Sequence, residues 1–596
     1  MGSPAASGSP YTTALTNVTV AQVLLRYLAL EGVHKVFGIP GGGLLNLLVE
    51  LKNQRETFDY IICRHETGAA YIADGYYRAT GKLGVVIVTS GPGATNALTG
   101  VVNADTDGSA ILAITGEVAE SGFGKGPLQE GVDSGLDVNL VYKSAVVYSA
   151  EITDQSECQT LFEQALRDAL SLPPRAAHIS LPSNVPAEIV PSIALPLSPD
   201  NYRARPGGIQ RDRVRLAMSQ FLATRRPLLF LGAGCREALR DEETLAALTR
   251  FVKRYAIPVM TTPDCKGVFP EQHALSLRVY GFCSCLWPQE YMQQSNPAYD
   301  GLMVIGTSLK GLSSNNFNAI LTPAGPFIQV DLDQHAIGRA FPISLGIVGE
   351  AGACIRELDA LSPQFPPDQP AVESRLNAIA AIKNTTPFQH PNQYESDATP
   401  IQPAALVRVL QETLPPDAII LLDAGNCVSW GIHYFEVSPP QQIHSSLAMG
   451  PMGFAVGAVV GAKIGRPDRT CLALVGDGAF MMHGAEVSTA AAHGAGAIWV
   501  VLQDNDLHMV SQGENFFFPD PTVWPKVYSL GAPDLAKLAE GLGADAYTIG
   551  SPAELAALMP QVIAKADADR KPQVIVAQID TSALSPYFYP PIPPKP

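Results

Sequence analysis

Short apolar runs alternate with longer amphipathic or small-residue stretches along nearly the whole chain. This is the rhythm of buried strands and covering helices in parallel α/β sheets. In a first block, about Asn17 to Val190, the segments HKVFGI, DYIICRHE, LGVVIVTS, AILAITGE and AAHISLP read as strands. A second block, about Arg213 to Leu361, gives PLLFLGAG, IPVMTT, GLMVIGT and PFIQVDLD, with DEETLAALTRFVKRYA as a helix. A third, about Gln402 to Thr581, gives AIILLDAG, TCLALVGDG, AIWVVLQDN and PQVIVAQID. The expectation is an α/β protein of three doubly wound parallel-sheet domains, at 17–190, 213–361 and 402–581. Pro- and Ser-rich VPSIALPLSPDNYRARPGG predicts a linker over 191–212, and the polar stretch SPQFPPDQP through HPNQYESDATP a second over 362–401. Residues 1–16 read as a flexible N-terminus, and 582–596, with YFYPPIPPKP, as a tail too Pro-rich for regular structure. The first and third blocks are alike in rhythm, without a short-period repeat.

Composition narrows the function classes. The chain has 596 residues, 46% of them apolar and only 16% charged, which suits well-buried cores. A formal charge of −16 without a basic run repels phosphate backbones, so nucleic acid is not an expected partner. No apolar run approaches the roughly 18–20 residues of a membrane span. MGSPAASGSPYTT lacks the basic flank and apolar stretch of a secretion signal, and Ala6 breaks the myristoylation pattern. Nine irregularly spaced cysteines form neither a disulfide framework nor a CxxC site. A cytoplasmic protein without membrane partners is expected.

The sharpest chemical signal lies in the third block. Strand CLALV runs into Gly476-Asp477-Gly478, and the next strand, AIWVVLQ, runs into Asp504-Asn505-Asp506. Both acidic tips therefore lie at carboxyl ends of strands in one strand–helix–strand unit, where open α/β sheets bind ligands. Carboxylates and carbonyl oxygens gathered there suit a hard divalent cation such as Mg²⁺, which takes the rest of its shell from phosphate and water. The flanking glycines let backbone N–H groups approach a diphosphate, although GDG alone is also an ordinary turn. Glu66, delivered by an apolar strand into a small-residue helix, is either a helix-start acid or a carboxyl able to exchange protons with a heteroaromatic nitrogen. Ser90-Gly91-Pro92-Gly93-Ala94-Thr95-Asn96 is a strand-to-helix turn, tight or phosphate-binding. LGAGCREAL carries half a dinucleotide fingerprint, with Glu237 in place of the third glycine.

The arrangement resembles the thiamine-diphosphate enzymes of the acetolactate synthase and pyruvate oxidase type. Nearly the whole chain takes part. FGIPGGG, RHETGAAYIADGYYRATGKLGVVIVTSGPGATN, LQE, MTTPDCKGVFPE, GPMGFAVGAVVGA, GDG and QDNDLHMV all fall where such enzymes carry motifs. The resemblance implies pyrimidine-binding, central and diphosphate-binding domains, in that order. It implies that Glu66 hydrogen-bonds the aminopyrimidine and exchanges a proton with it. Asp477 and Asp504 are implied as side-chain ligands of Mg²⁺ and Asp506 as a backbone-carbonyl ligand, with Asp504 standing where the family usually has Asn. Met452 matches the apolar wedge that bends the cofactor, and Gly450 the carbonyl that accepts from its amino group. Asn426, Cys427, Gly476, Gly478 and Ala479 match contacts to the diphosphate end, and Pro40 and Gly41 of FGIPGGG further cofactor contacts. The resemblance also implies a homodimer or homotetramer, each site lying between the first domain of one chain and the third of another.

Substrate choice is where the chain departs from the family. Leu312, in GTSLKGLSS, stands where acetolactate synthases carry an arginine that holds the acceptor carboxylate. Gly513 replaces a tryptophan that sizes the acceptor pocket, and Ser183 replaces a lysine. The flavin-binding stretch is poorly matched at GFCSC (Gly281–Cys285), which leaves FAD open. Leu128, Gln129, His508, Val510 and Gly513 are the expected pocket residues. Losing a bidentate cation and an indole favours a wider range of carbonyl acceptors. The expected function is a carboligase or lyase acting beside a carbonyl, on a 2-oxo acid or aldehyde donor and an aldehyde or ketone acceptor. A true acetolactate synthase, a flavin-dependent oxidase of the family and a catalytically silent subunit of this fold are the alternatives. Intact Glu66, Asp477 and Asp504 speak against the last.

Overall fold

The computed structural model describes residues 9–133, 135–204, 208–294, 298–519 and 525–588. Three six-stranded sheets dominate, all of their strand pairs parallel. Ahead of the first runs β1 (Thr12–Thr19). The first sheet holds β2 (Lys35–Ile39), β3 (Asp59–Ile62), β4 (Gly84–Val88), β5 (Ile111–Glu117), β6 (Tyr148–Glu151) and β7 (Ala176–Pro182), in the order β3-β2-β4-β5-β7-β6. Helix α1 (Glu66–Thr80) follows β3, and α2 (Pro92–Asp107) follows β4. After β7 the chain forms β8 (Ile189–Pro196).

The central sheet comprises β9 (Pro227–Leu231), β10 (Val259–Thr261), β11 (Ser276–Val279), β12 (Gly301–Ile305), β13 (Phe327–Asp331) and β14 (Leu345–Val348), ordered β11-β10-β9-β12-β13-β14. A further helix, α3 (Gln369–Lys383), leads to the third domain. There follow β15 (Ile419–Leu422), α4 (Asn426–Tyr434), β16 (Gln442–Ser445), α5 (Phe454–Gly465), β17 (Cys471–Gly476), α6 (Asp477–His483), α7 (Glu486–Ala492), β18 (Ile498–Gln503), α8 (His508–Phe517), β19 (Asp545–Ile549) and β20 (Gln573–Gln578). Their sheet order, β16-β15-β17-β18-β20-β19, repeats the topology of the first sheet strand for strand. The likeness in rhythm between the outer blocks is thus a likeness of fold. In both sheets the strand order reverses between the first strand and the third, which opens a crevice at their carboxyl ends.

The first and third domains share a core. Tyr71, Ile72 and Tyr76 of α1 join Phe454, Val456 and Val459 of α5 in one buried cluster. The two helices touch backbone to backbone. A Cβ on Gly75 would lie 1.9 Å from the Ala458 carbonyl oxygen, and one on Gly461 would lie 1.8 Å from that of Ile72.

Four expectations need correction. Residues 12–16 are not flexible, and the segment after Ile189 is not simply a linker. β1 and β8 pair antiparallel, with Thr13 opposite Leu195 and Val18 opposite Val190, and Val190, Ile193 and Leu195 are buried. The β-branched residues of TTALTNVT favour a strand once such a partner arrives. Within 362–401, α3 buries Arg375, Ile379 and Ile382, and Arg375 donates to the carbonyls of Arg225 and Tyr255. The start of the tail is also packed, with Ala583 and Ser585 buried. Residues 1–8 and 589–596 lie outside the described residues.

Candidate active site

The crevice of the third domain lies between the ends of β15 and β17. β15 ends in Asp423-Ala424-Gly425, and α4 begins at Asn426, so its first-turn N–H groups lie at the sheet's upper edge without intrahelical partners. Next door, Gly476-Asp477 carries β17 directly into α6. The Asp477 carboxylate is 3% exposed and accepts the backbone N–H of Gly478 at 2.8 Å, of Asp504 at 3.1 Å and of Asn505 at 2.6 Å. The two acidic strand tips are therefore in contact. Burial, followed by the negative charge of Asp504, pushes Asp477 up to about 6. Asp504 accepts from the Asp506 N–H at 3.2 Å and shares a 3.0 Å contact with His508 Nδ1. Burial opposes the imidazolium, but the hydrogen bond and charge of Asp504 outweigh it and raise the His508 pKa. The Asp506 carboxylate is occupied by the Ser511 hydroxyl.

The remaining third-domain candidates gather here. The space about a Cβ at Gly478 is bounded by Met452 Cε at 3.1 Å, with Leu507 and Leu530 beside it. Met452 is held through Asp423, whose carboxylate accepts the N–H of Gly453 at 2.8 Å and of Ala455 at 2.7 Å. Ala479 is buried behind the turn. The Cys427 side chain points inward, its Sγ 3.0 Å from the Asp423 carbonyl oxygen. Any ligand contact from Cys427 therefore falls to its backbone N–H. Gly425 (φ +113°), Gly450 (φ +68°) and Gly476 all face open space.

A second half-site stands on the first domain, at the matching crevice between β2 and β4. Glu66 starts α1 and accepts from Asn96 Nδ2 on α2 at 3.1 Å. Gly41, after Pro40, is pressed against Thr89, whose buried hydroxyl has no partner. A Cβ on Gly93 would lie 3.6 Å from Glu66 Oε1, and one on Gly91 would lie 3.1 Å from Gln129. Gln129 itself has a φ of +66°, an uncommon conformation for a side-chain-bearing residue and one concentrated at functional loops. The structure thus brings Pro40, Gly41, Glu66, the Ser90–Gly93 turn and Gln129 together. Leu128, beside them, is 88% exposed.

Within one chain the two half-sites lie on either side of α6. The turn before Glu66 docks on Glu486, at the start of α7, whereas Asp477 opens α6 nine residues earlier. At the helical rise of 1.5 Å per residue, the two ends of α6 are roughly 10 Å apart. His508, Val510 and Gly513 lie on α8 with the acidic tips, and Leu128 and Gln129 lie with Glu66, so the five expected pocket residues divide between the halves. The two departing segments meet in the central domain: Phe282 N–H donates to the Leu312 carbonyl at 2.7 Å, and a Cβ on Gly281 would lie 2.3 Å from that oxygen. The poorly matched Gly281–Cys285 stretch therefore packs directly against the Leu312 segment. The serine in the lysine position, Ser183, accepts from Asn46 through its carbonyl.

The sequence analysis places Asn96 in a strand-to-helix turn without pairing it to Glu66, and passes over Asp423, Gln512 and Glu486. Gln512 is buried on α8. It accepts from Asn426 Nδ2 at 3.1 Å and donates to the Ala583 carbonyl at 2.8 Å, which fixes Asn426 and the start of the tail together. Its position two residues after Val510 on an acidic-tip helix was the available signal.

These residues fit a cation and a diphosphate. A buried carboxylate, Asp477, lies beside the half-buried Asp504 and has its pKa raised, and Asn426 Oδ1 is a buried acceptor without a partner, as a cation-bound water would supply. Among the described residues, no group of three or more His, Cys, Asp or Glu forms a self-sufficient metal cluster. Two carboxylates and an open, glycine-lined cradle match Mg²⁺, which keeps phosphate and water in its shell.

Comparison with known proteins agrees. Residues 18–136 match the thiamine pyrophosphate enzyme N-terminal TPP binding domain, 214–358 its central domain and 423–577 its C-terminal TPP binding domain. "Putative acetolactate synthase large subunit IlvB2" of Mycobacterium tuberculosis is 31% identical over 554 residues, 92% of this chain and 96% of that protein. "Probable acetolactate synthase large subunit" of Methanococcus aeolicus is 30% identical over 555 residues, 91% and 90% of the two chains. "Acetolactate synthase large subunit" of Haemophilus influenzae is 28% identical over 542 residues, 90% of each. Among the described residues no helix is long and apolar enough to cross a membrane. With its two acidic strand tips, its glycine cradle and matches to all three domains, the chain belongs to the thiamine pyrophosphate enzyme family, as a thiamine-diphosphate-dependent transferase or lyase of the acetolactate synthase type.

Proposed function

We propose that the protein is a Mg²⁺-dependent carboligase or lyase that joins a 2-oxo acid or aldehyde donor to an aldehyde or ketone acceptor, or runs that bond-making in reverse. The observation that carries the reading is the contact between Asp477 and Asp504 at the mouth of the glycine cradle. Asp477, Asp504 and the Asp506 carbonyl would hold the ion, and the α4 N-terminus with Gly476 and Gly478 the diphosphate. Met452 would support the bend between the two rings, with the Gly450 carbonyl accepting from the amino group. When bound, thiamine diphosphate supplies a carbanion that adds to a carbonyl carbon. Glu66 holds and returns a proton at a ring nitrogen, and Asn96 keeps its carboxylate oriented.

Glu66 serves a site whose acidic half belongs to another copy, so the working unit is a homodimer or homotetramer. Exposed Met449, Met481 and Met482 around the third-domain half support this, as does Ile62 at the end of β3 near the first. For the acceptor, Leu312 offers no charge to a carboxylate and Gly513 no bulk, which supports a wide pocket. A second reading, acetolactate formation from 2-oxo acids alone, draws support from the names of the relatives.

Product analysis by mass spectrometry separates the two. The protein is given thiamine diphosphate, Mg²⁺ and pyruvate, then a panel of aldehydes, with Glu66→Gln as control. Mixed acyloins that vanish in the control are expected. Acetolactate as the sole product would refute the wide-acceptor reading in favour of the second.

A further inference from the structure

Glu486 belongs to the third domain but reaches into the first. It is 1% exposed at the start of α7, and Oε1 accepts the backbone N–H of Arg64 at 3.1 Å and of His65 at 3.0 Å. Its other oxygen accepts the Thr489 hydroxyl at 2.6 Å. Those two N–H groups form the turn immediately before Glu66. The Arg64 side chain repeats the link, donating from Nε to Ser488 Oγ at 2.7 Å and from Nη2 to the Ser488 carbonyl at 3.2 Å. One turn into α1, a Cβ on Gly68 would lie 2.2 Å from Glu486 Oε1, so the helix closes fully onto this carboxylate. None of these groups has a part in the chemistry described above.

We propose that Glu486 is a positioning residue for Glu66: a buried carboxylate of the third domain fixes the height and rotation of the first turn of α1, and with it the aim of Glu66. The inference rests on the reading of Glu66 as the group that exchanges a proton with the cofactor. Local capping does not do this work. His65 Nδ1 accepts from Thr67 N–H, a contact that travels with the turn, and Asn96 restrains only the end of the Glu66 side chain. Without Glu486, two backbone donors lose their acceptor and have to seek another, which displaces the residue that follows them. In the paired protein the arrangement has a further consequence. Asp477, nine residues before Glu486, serves one site, and the Glu66 that Glu486 aims serves the other, so each third domain shapes both.

The test uses the full-length protein with Glu486→Ala, Glu486→Asp and Glu486→Gln, beside Glu66→Gln. Amide hydrogen exchange is followed at Arg64 and His65 without cofactor. With saturating thiamine diphosphate and Mg²⁺, the affinity for the cofactor and the exchange rate of its C2 proton are measured per bound molecule. A displacement of about 1 Å at a catalytic group costs on the order of a hundredfold. The Ala variant is expected to expose both amides, retain cofactor affinity within a fewfold and lose C2-proton exchange to that extent. The Asp variant, charged but shorter, is expected to lie between Ala and wild type, and Gln, which preserves the reach, to restore most of the rate. C2-proton exchange equal to wild type in both Ala and Asp would reduce Glu486 to domain glue and overturn the proposal. If Ala does not fold, the comparison of Asp with Gln decides in the same way. Unchanged exchange in Glu66→Gln would instead overturn the reading of Glu66 itself.

Discussion

Asp477→Asn should stabilise the cofactor-free protein while abolishing its response to Mg²⁺. Burial and Asp504 raise Asp477 from 3.8 to about 6. That is about two pKa units, or about 3 kcal/mol against the ionised form above pH 6. The side chain is almost fully buried, so solvent does little to reduce this. The amide keeps its one acceptor oxygen for the N–H donors of Asp504 and Asn505 and turns its NH₂ group toward that of Gly478, a loss of about 1–2 kcal/mol. A net gain of about 1–2 kcal/mol near pH 7–8 remains. Because the folded-state pKa lies above the unfolded one, the native wild type binds the extra proton between about pH 3.8 and 6. Wild-type stability therefore falls as pH rises through that window and then levels off. The variant lacks this slope, so its advantage should appear on going from pH 4 to pH 7 and reverse to a small deficit at the acid end. Thermal unfolding in EDTA, read on the transition of the third domain, should show a difference of roughly 2–4 °C per kcal/mol at neutral pH. Adding Mg²⁺ and thiamine diphosphate at about a hundred times Kd should raise the wild type by about 2.7 kcal/mol and invert the order. A variant less stable than wild type by the same amount at pH 4 and pH 8 would refute the idea that Asp477 carries an unfavourable charge awaiting a cation.

Three further outcomes follow from the geometry. Gly461→Ala places a methyl 1.8 Å from the Ile72 carbonyl oxygen, and α1 and α5 have to part by roughly 1–1.5 Å to reach ordinary contact. A loss of about 1–3 kcal/mol is expected in unfolding experiments, whereas Gly541→Ala, facing open space at the end of a helix, should be neutral or stabilising. His508→Ala frees the Asp504 carboxylate and should weaken Mg²⁺-dependent cofactor binding by roughly 10–100-fold, as measured by titration of Mg²⁺ at fixed thiamine diphosphate. Leu312→Arg restores a cation where the family holds an acceptor carboxylate. The ratio of acetolactate to mixed acyloin should rise by roughly tenfold or more in competition assays.

What could be read from the sequence follows the distance over which each contact is made. Asp477 and Asp504 belong to one strand–helix–strand unit, and Glu66 adjoins the strand that delivers it, so local pattern sufficed to mark them. The partners that hold them are remote. Asn96 reaches Glu66 from the next strand–helix unit, Gln512 binds the tail 71 residues away, and Glu486 meets Arg64 across 422 residues. No periodicity in a single segment encodes such pairs. β1 was missed for the same reason, since its partner β8 arrives only after the whole first sheet. α3 was hidden by composition: its buried face is Arg375, Ile379 and Ile382 in a polar, Pro-flanked stretch, and the arginine that anchors it is read as a surface residue unless its backbone acceptors are known.

The two outer sheets share one strand order, yet the same crevice does different work in each. In the third domain its walls carry anionic side chains and open glycines, features that collect a cation and a diphosphate. In the first domain the corresponding crevice carries a single carboxylate, Glu66, and a turn closed by Gln129. The shared core of α1 and α5 fixes the two crevices of one chain relative to each other. The close contact at Gly75 and Gly461 therefore bears on the site as well as on the fold. On the pairing of two copies proposed above, it holds the two half-sites of each chain at a set spacing so that a second copy can complete both at once.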